Sequence, residues 1–217
     1  CNQSAWGFTP IIGIDYRVND KLNLAAKYEF KTRLRLKNKA ASSSMLGVQV
    51  DDVLPQFADG TKVAADIPAI LTLGAQYAPI KKLRLSAGFH YYFDEQATQY
   101  ASKEEKLDGG GWEVLAGAEY DITKRWTISA GWQTTKYGLG DNSEFIDDLS
   151  FVTNSNSVGF GARFQLRKKV ALNMAYFKTI YKGYTRELPV AALGSAKLKE
   201  KFDRTNDVFG LGLEIDF

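Results

Sequence analysis

Hydrophobic and polar residues alternate with a period of two along most of the 217-residue chain. That period is typical of β-strands, in which successive side chains point to opposite faces of a sheet. In the longest stretch, residues 21–37, Leu22 and Leu24 lie on one face and Lys27 and Glu29 on the other. The pattern predicts nine strands, near residues 8–18, 21–37, 71–77, 83–94, 112–120, 126–132, 158–166, 170–176 and 209–217.

The connections between these strands alternate in length. Short turns are predicted at residues 19–20, 79–82, 121–125 and 167–169, and long polar connections at about 38–66, 94–111, 138–154 and 182–206. Short turns on one rim and long loops on the other are typical of an outer-membrane β-barrel. The strand over 21–37 would span roughly 55 Å at about 3.3 Å per residue, long enough to cross a bilayer and project beyond it.

The distribution of aromatic residues and glycines favours the membrane barrel over a sheet packed on a soluble core. The aromatic residues of the apolar faces lie toward strand ends, as interfacial girdles require: Tyr28, Phe30, Tyr77, Tyr91, Phe93, Tyr120, Trp126, Trp132 and Tyr176. The polar faces carry many glycines, which suits a crowded lumen. A soluble sheet with one charged face is the alternative interpretation.

Composition excludes several other classes of protein. No apolar run approaches the 18 to 20 residues or so that a membrane-spanning helix needs, and a net charge of +3 without a basic block argues against nucleic-acid binding. One cysteine and one histidine predict neither a disulfide nor a metal site, and no cofactor is expected. His90 shares a strand face with Ser86, but no nucleophile motif accompanies them, so we do not predict an enzyme.

Four stretches of the chain resemble the FadL, OmpP1 and TodX family of outer-membrane transporters for long-chain fatty acids and hydrophobic compounds. They are GFTPIIGIDY at 7–16, KLNLAAKY at 21–28, DIPAILTLG at 66–74 and the closing GLGLEI at 210–215. The last aromatic residue, Phe217, also resembles the final residue by which bacterial outer-membrane proteins are recognised for assembly. The resemblance implies a transmembrane antiparallel up-and-down β-barrel, located in the bacterial cell outer membrane.

The nine predicted strands are an odd number, whereas single-chain bacterial barrels have even counts. The resemblance implies that they are the C-terminal nine strands of a 14-stranded barrel, in which residues 1–217 form the C-terminal portion of a single domain. An N-terminal segment carrying the hatch, the first strands and the lateral gate would then come from the same or another chain. Cys1 is interpreted as a fragment boundary rather than a lipidated terminus.

Two sets of candidate ligand-binding residues follow from the resemblance. The loop at 38–66 is the counterpart of the family's ligand-capturing groove, for which we predict Met45, Leu46, Val50, Val53, Leu54 and Phe57. A loop that only buries its own apolar side chains is the alternative. In the lumen, Lys27, Arg84 and Arg163 are candidates for binding a carboxylate head group. The alternative is that these cations pair with lumenal carboxylates such as Glu29, Glu119 and Glu214.

The function that the resemblance implies is passive uptake of long-chain fatty acids or other hydrophobic molecules, with lateral release into the membrane. The expected partners are a hydrophobic small molecule or fatty acid, outer-membrane lipid and the missing barrel segment. A FadL-like barrel that serves as a binding or shuttle partner in protein secretion is one alternative. A polar porin is another.

Overall fold

The computed structural model describes residues 1–40, 55–99, 104–139, 153–189 and 197–216, together with the backbone of 44–45 and 48–49. Within these residues no helix is long and apolar enough to span a membrane. The strands of the main sheet are β2 (Ile11–Arg17), β3 (Leu22–Glu29), β8 (Ile70–Ile80), β9 (Leu83–Tyr92), β10 (Trp112–Asp121), β11 (Trp126–Lys136), β12 (Ser155–Arg167), β13 (Val170–Tyr181) and β16 (Thr205–Ile215).

Seven further strands lie outside the main sheet. They are β1 (Asn2–Ser4), β4 (Arg35–Lys39), β5 (Ser44–Met45), β6 (Val48–Gln49), β7 (Lys62–Ala64), β14 (Tyr184–Pro189) and β15 (Lys197–Phe202). β1, β4 and β7 form a small sheet, while β5 with β6 and β14 with β15 form hairpins. The hairpin of β14 and β15 lies within the predicted 182–206 loop, where the sequence predicted no strand.

The main sheet is a nine-stranded antiparallel meander in the order β16-β13-β12-β11-β10-β9-β8-β3-β2. All nine strands predicted from the alternation are present, and the predicted fold class is confirmed. The sheet is not closed: β2 pairs only with β3 and β16 only with β13 among the described residues. Meander connectivity places the short turns on one rim and the long connections on the other, and we call these the short-turn rim and the long-loop rim.

The apolar face of the sheet is exposed rather than packed on a core. Ile14 is 66% exposed, Phe160 61% and Leu213 60%. The buried hydrophobic residues of the described chain are small and scattered, namely Val63, Ala69, Ala97 and Ala171. A folded soluble domain would bury its large side chains, so this surface requires a nonaqueous neighbour. The alternative of a soluble sheet over a core is therefore wrong.

The short turns are held by side chains of the expected types. At the first turn the Asn19 carboxamide oxygen accepts hydrogen bonds from the amides of Lys21 and Leu22, at 2.8 and 3.0 Å. At the third, the Thr123 hydroxyl accepts from the amides of Arg125 and Trp126, at 3.1 and 3.0 Å. Asn and Thr stabilise turns through such local bonds.

The predicted continuous strand over 21–37 is wrong, because β3 ends at Glu29 and the chain resumes as β4 in the small sheet. The two segments that flank the interruption each contain a proline, Pro10 before β2 and Pro68 before β8. Proline has no amide proton to donate to a strand ladder. A carboxylate replaces the ladder next to it: the Leu34 amide donates to Asp66 Oδ1 at 3.0 Å. The Thr32–Ile67 bridge and a hydrogen bond from the Ala65 amide to the Leu34 carbonyl at 3.2 Å continue the pairing.

Candidate functional site

A band of glycines crosses the polar face of the sheet. Gly117 pairs with Gly131 and Gly131 with Gly159 on successive strands, while Gly74 pairs with Gly88 next to them. Leu115 and Phe177 lie opposite Gly88 and Gly159. We call the surface formed by these seven residues the lumenal trough. Two adjoining cavities of 580 and 420 Å³ lie along it and share Ser86, Gly117, Gly131, Gly159 and Phe177.

Glycine gives the lumenal trough its depth by leaving backbone exposed where other residues would place side chains. A Cβ atom on Gly159 would lie 3.3 Å from the Cβ of Phe177, so the aromatic side chain fills the space next to it. A Cβ on Gly131 would meet its nearest neighbour, the Ala116 carbonyl oxygen, at an ordinary 3.5 Å. Position 131 therefore tolerates a side chain without backbone displacement, and that side chain would project over the trough.

On the long-loop side of the trough, four polar side chains converge on Glu113. Its Oε1 accepts hydrogen bonds from Gln133 Nε2 and Thr135 Oγ1, both at 2.9 Å. Its Oε2 lies 3.0 Å from His90 Nδ1 and accepts from the Tyr92 hydroxyl at 3.1 Å. A carboxylate with four partners has its hydrogen-bonding capacity satisfied by its neighbours, so these contacts hold it in place beside the trough.

On the short-turn side, Arg84 and Arg163 of the polar face are both paired with carboxylates. Arg84 donates to Glu119 Oε1 at 2.5 Å and to both carboxylate oxygens of Asp121, at 2.7 and 2.8 Å. Arg163 donates to both oxygens of Glu214 at 3.1 Å. Such bidentate pairs fix the guanidinium plane. The trough is thus an uncharged zone between a hydrogen-bonded carboxylate on one side and paired arginines on the other.

A separate cavity, of 430 Å³, opens at the long-loop rim, and we call it the mouth cavity. Its walls come from four separate segments, around residues 68, 92–99, 107–113 and 135–139. Pro68, Ala97, Leu107, Tyr137 and Leu139 supply apolar surface, and Asp94 and Glu113 supply carboxylates. Sequence reasoning missed this cavity, since no single stretch of the chain carries it.

The mouth cavity is assembled by backbone bonds between the loops. The Asp108 amide donates to the Gly138 carbonyl at 2.8 Å, and the Gly111 amide donates to Asp94 Oδ2 at 2.8 Å. A Cβ on Gly138 would clash with the carbonyl of Gly109, so the two loops can approach this closely only with glycine at 138.

With this geometry established, family membership follows from the sequence. The sequence profile of the outer membrane protein beta-barrel domain matches residues 12–164. This chain belongs to that family. The outer-membrane barrel assignment and the location in the bacterial outer membrane are therefore confirmed. No curated protein sequence matches the chain.

Solved outer-membrane barrels superpose on nearly the whole chain. A FadL homologue of Pseudomonas aeruginosa matches with a TM-score of 0.65 and 16% identity, over 97% of this chain and 52% of the homologue. The toluene transporter TodX of P. putida matches with a TM-score of 0.55 and 16% identity, over 98% of this chain and 50% of TodX. At these identities the likeness shows the fold, and the expected FadL-like barrel fold is confirmed. The chain spans about half the length of these structures.

The aromatic residues of this outer-membrane barrel cluster at the long-loop rim as the girdle interpretation predicted. The Tyr28 ring centroid lies 4.9 Å from that of Phe30 and 6.0 Å from that of Phe93, and Tyr91 lies 4.8 Å from Phe93. These edge-to-face contacts link the ends of β3 and β9 at the level where the sheet meets the loops.

The structure places the three predicted lumenal cations on the polar face but does not bring them together. Lys27 Nζ lies 2.5 Å from Glu29 Oε1, and its side chain is 45% exposed. Arg84 and Arg163 each have carboxylate partners on other strands. Of the three, Lys27 has the fewest partners among the described residues: it pairs with Glu29, whereas Arg163 contacts both Glu214 and Gln165. Asp121, which sequence reasoning did not place in the lumen, shares a strand face with Glu119 two residues earlier.

Most of the predicted groove lies outside the described residues. Met45 is described by its backbone alone, and Leu46, Val50, Val53 and Leu54 are not described. Phe57 ends the short 3-10 helix Pro55–Phe57 and is 40% exposed. The groove stays a prediction.

The geometry of Ser86 and His90 does not support a catalytic pair. His90 and Ser86 are four residues apart on β9, a separation of roughly 13 Å at 3.3 Å per residue, and the His90 ring is hydrogen-bonded to Glu113. Across the described part of the chain, no group of three or more His, Cys, Asp or Glu residues could hold a metal ion.

Proposed function

We propose that this outer-membrane barrel takes up hydrophobic molecules by passive diffusion along the lumenal trough, without catalysis. The observation that carries the proposal is the uncharged trough, lined by glycine backbone, Leu115 and Phe177 and flanked by paired charges. An apolar molecule moving along it would not have to displace tightly hydrated ions, and desolvating charged groups is costly. The two FadL-like relatives, one of which is a toluene transporter, support the same substrate class.

A long-chain fatty acid is our proposed ligand, with its carboxylate received by lumenal cations. To bind a head group, Arg84 would have to release Glu119 or its bidentate partner Asp121, and Arg163 would have to release its bidentate partner Glu214. Lys27 would exchange only the carboxylate of Glu29, in a half-exposed pair of the kind that contributes little to stability. Lys27 is therefore the cation at which a head group would bind at the lowest cost.

Entry and exit complete the proposed path. Capture would occur in the loop groove of Met45, Leu46, Val50, Val53, Leu54 and Phe57, above the long-loop rim. Release would be lateral, into outer-membrane lipid. Both edges of the sheet, β2 and β16, present ladder groups that hydrocarbon cannot satisfy, and each unsatisfied group in lipid costs several kcal/mol. We propose that strands of the missing segment, from the same or another chain, pair with these edges.

The test places a large side chain in the trough at one strand position and compares it with the neighbouring position on the other face. In proteoliposomes containing the whole protein, Gly131→Phe should lower the uptake of a labelled fatty acid by about fivefold or more, since a side chain of that size fills much of a cavity of a few hundred Å³. Ala130→Phe is the matched control because the neighbouring residue projects to the lipid face, and it should leave uptake unchanged.

Three outcomes would contradict the proposal. Equal uptake by the two variants would show that ligand does not follow the trough. Rapid flux of sugars that Gly131→Phe blocks would instead favour the polar porin. Co-purification of a secreted protein through the long loops, with no fatty-acid uptake, would favour the secretion partner.

A further inference from the structure

We infer that the mouth cavity is a binding site for small apolar molecules that carry a protonated amine. The inference rests on the proposed function only in treating the long-loop rim as the entrance, and the binding itself is independent of transport. At 430 Å³ the cavity lies within the usual range for small-molecule sites, which are mostly apolar with a few polar groups that orient the ligand.

The polar group that orients the ligand is Asp94. Its Oδ2 accepts the Gly111 amide at 2.8 Å, while its Oδ1 accepts no hydrogen bond from the described residues. The carboxylate is half-buried in the cavity wall. One fixed oxygen and one open oxygen leave the group held in place yet able to accept a donor from a ligand.

Among the described residues, no cationic group of the cavity wall lies beside Asp94. No Lys or Arg of the described residues pairs with Asp94, and burial together with the charge of Glu95 raises the pKa of Asp94 above its ordinary value. Lys136 lines the cavity, but its Nζ lies 5.3 Å from the centroid of the Trp112 ring. Those two residues are opposite each other on β10 and β11, on the face away from Glu113 and Thr135. An ammonium group would therefore supply the missing charge.

The second carboxylate of the cavity strengthens the preference for a cation. Glu113 is satisfied by four donors, so it does not compete for the ligand's hydrogen bonds, but its charge adds to that of Asp94. A carboxylate ligand would meet two like charges at this site and would be disfavoured. The selectivity of the mouth cavity is thus opposite to that proposed for Lys27 deeper in the lumen.

The walls around Asp94 are held by hydrogen bonds and close backbone contacts between the loop segments. The Ala97 amide donates to the Asp94 carbonyl at 3.0 Å, and Gln99 Nε2 donates to the Asp66 carbonyl at 2.8 Å. Gly110 is buried, and a Cβ there would clash with the Tyr92 carbonyl. A preformed wall lowers the ordering cost of binding.

Binding of benzylamine, benzyl alcohol and benzoate to the whole protein in lipid nanodiscs tests the inference by calorimetry. Benzylamine should bind most tightly and benzoate least. Asp94→Asn should weaken benzylamine about tenfold, an amount typical of a lost charge-assisted hydrogen bond, and should leave benzyl alcohol within about twofold. Glu105→Gln, at an exposed loop carboxylate outside the cavity lining, is the control and should change neither.

A second variant locates the site even if Asp94→Asn is poorly folded. Leu107→Trp should abolish binding of both benzylamine and benzyl alcohol by filling the cavity, whereas Gly131→Phe should leave both intact. Tighter binding of benzoate than of benzylamine, or benzylamine binding unaffected by Leu107→Trp, would overturn the inference. Fatty-acid uptake blocked by Gly131→Phe alongside that result would leave the proposed transport standing.

Discussion

His90 Nδ1 lies 3.0 Å from Oε2 of Glu113, and the two residues are directly opposite each other on β9 and β10. Gln133 and Thr135 of β11 reach the other oxygen of the same carboxylate. One side chain therefore joins three strands on the polar face, between the lumenal trough and the mouth cavity. This contact fixes the wall of both cavities at the same point.

Replacing that carboxylate should loosen the wall. In Glu113→Gln one oxygen becomes an amide donor facing other donors, and losing hydrogen bonds to a charged group costs about 1.5–3 kcal/mol. Urea unfolding of the reconstituted barrel, followed by tryptophan fluorescence, should show that loss in the free energy of unfolding. Glu105→Gln, an exposed loop carboxylate, is the control and should change it by less than about 0.5 kcal/mol. Equal stabilities would contradict the central role of Glu113.

The strands of the sheet could be predicted from the sequence because each needs only its own alternation. The interruption after Glu29 could not, since the apolar pattern of Phe30, Thr32 and Leu34 continues through it. Its causes lie on other segments: Pro10 and Pro68 on the flanking chains, and the carboxylate of Asp66. Local alternation indicates which face of the sheet a side chain occupies. It does not indicate whether the neighbouring strand has backbone amides that can donate hydrogen bonds at that position.

The candidate site divides in the same way. Strand parity correctly assigned Arg84 and Arg163 to the polar face. Glu119 and Glu214 were among the carboxylates that the alternative interpretation paired with them, but assigning each pair required the register between strands, which places Arg84 opposite Glu119. Asp121 was missed because the sequence assigned it to the short turn at 121–125. The mouth cavity depends on four loop segments meeting at one rim, a relationship that no periodicity encodes.

Asp66 should hold the interrupted region together in a pH-dependent way. Burial alone would raise its pKa, but hydrogen bonds from the Leu34 amide and Arg35, with the charges of Arg35 and Lys31, outweigh burial and lower it from 3.8. A carboxyl with a lowered pKa in the folded state stabilises it above the unfolded pKa and loses that effect as the pH falls. Amide protection at Leu34 should therefore be constant at neutral pH and fall only below about pH 3.8.

Asp66→Asn provides the corresponding test by hydrogen exchange. Removing the charge leaves Arg35 and Lys31 beside a neutral amide, and losing a hydrogen bond to a charged group costs about 1.5–3 kcal/mol. Protection of the Leu34 amide should drop at neutral pH and lose its acid dependence. Asp20→Asn, at the exposed first short turn, should leave protection unchanged. If the acid dependence persisted in Asp66→Asn, another carboxyl would have to be responsible.

Lys27 is expected to distinguish a carboxylate ligand from its neutral analogue. Lys27→Met removes the proposed cation that has the fewest partners among the described residues, so affinity for a fatty acid should fall about threefold to tenfold, while affinity for the fatty alcohol of the same length should not. Arg163→Met is the comparison, and its effect should be smaller because Glu214 already occupies that guanidinium. A loss shared equally by acid and alcohol would argue against head-group binding at Lys27.

The predicted loop groove is tested by adding charge to its apolar surface. Leu54→Asp combined with Phe57→Asp should weaken fatty-acid binding about tenfold, since each buried apolar side chain contributes about 1.5–3 kcal/mol and an unpaired carboxylate in its place is costly. Lys81→Asp adds negative charge at the exposed short-turn rim and should leave binding unchanged. Because the groove would act before the trough, the double variant should slow uptake at low ligand concentration and recover at high concentration. Unchanged binding would mean that this loop buries its own side chains instead.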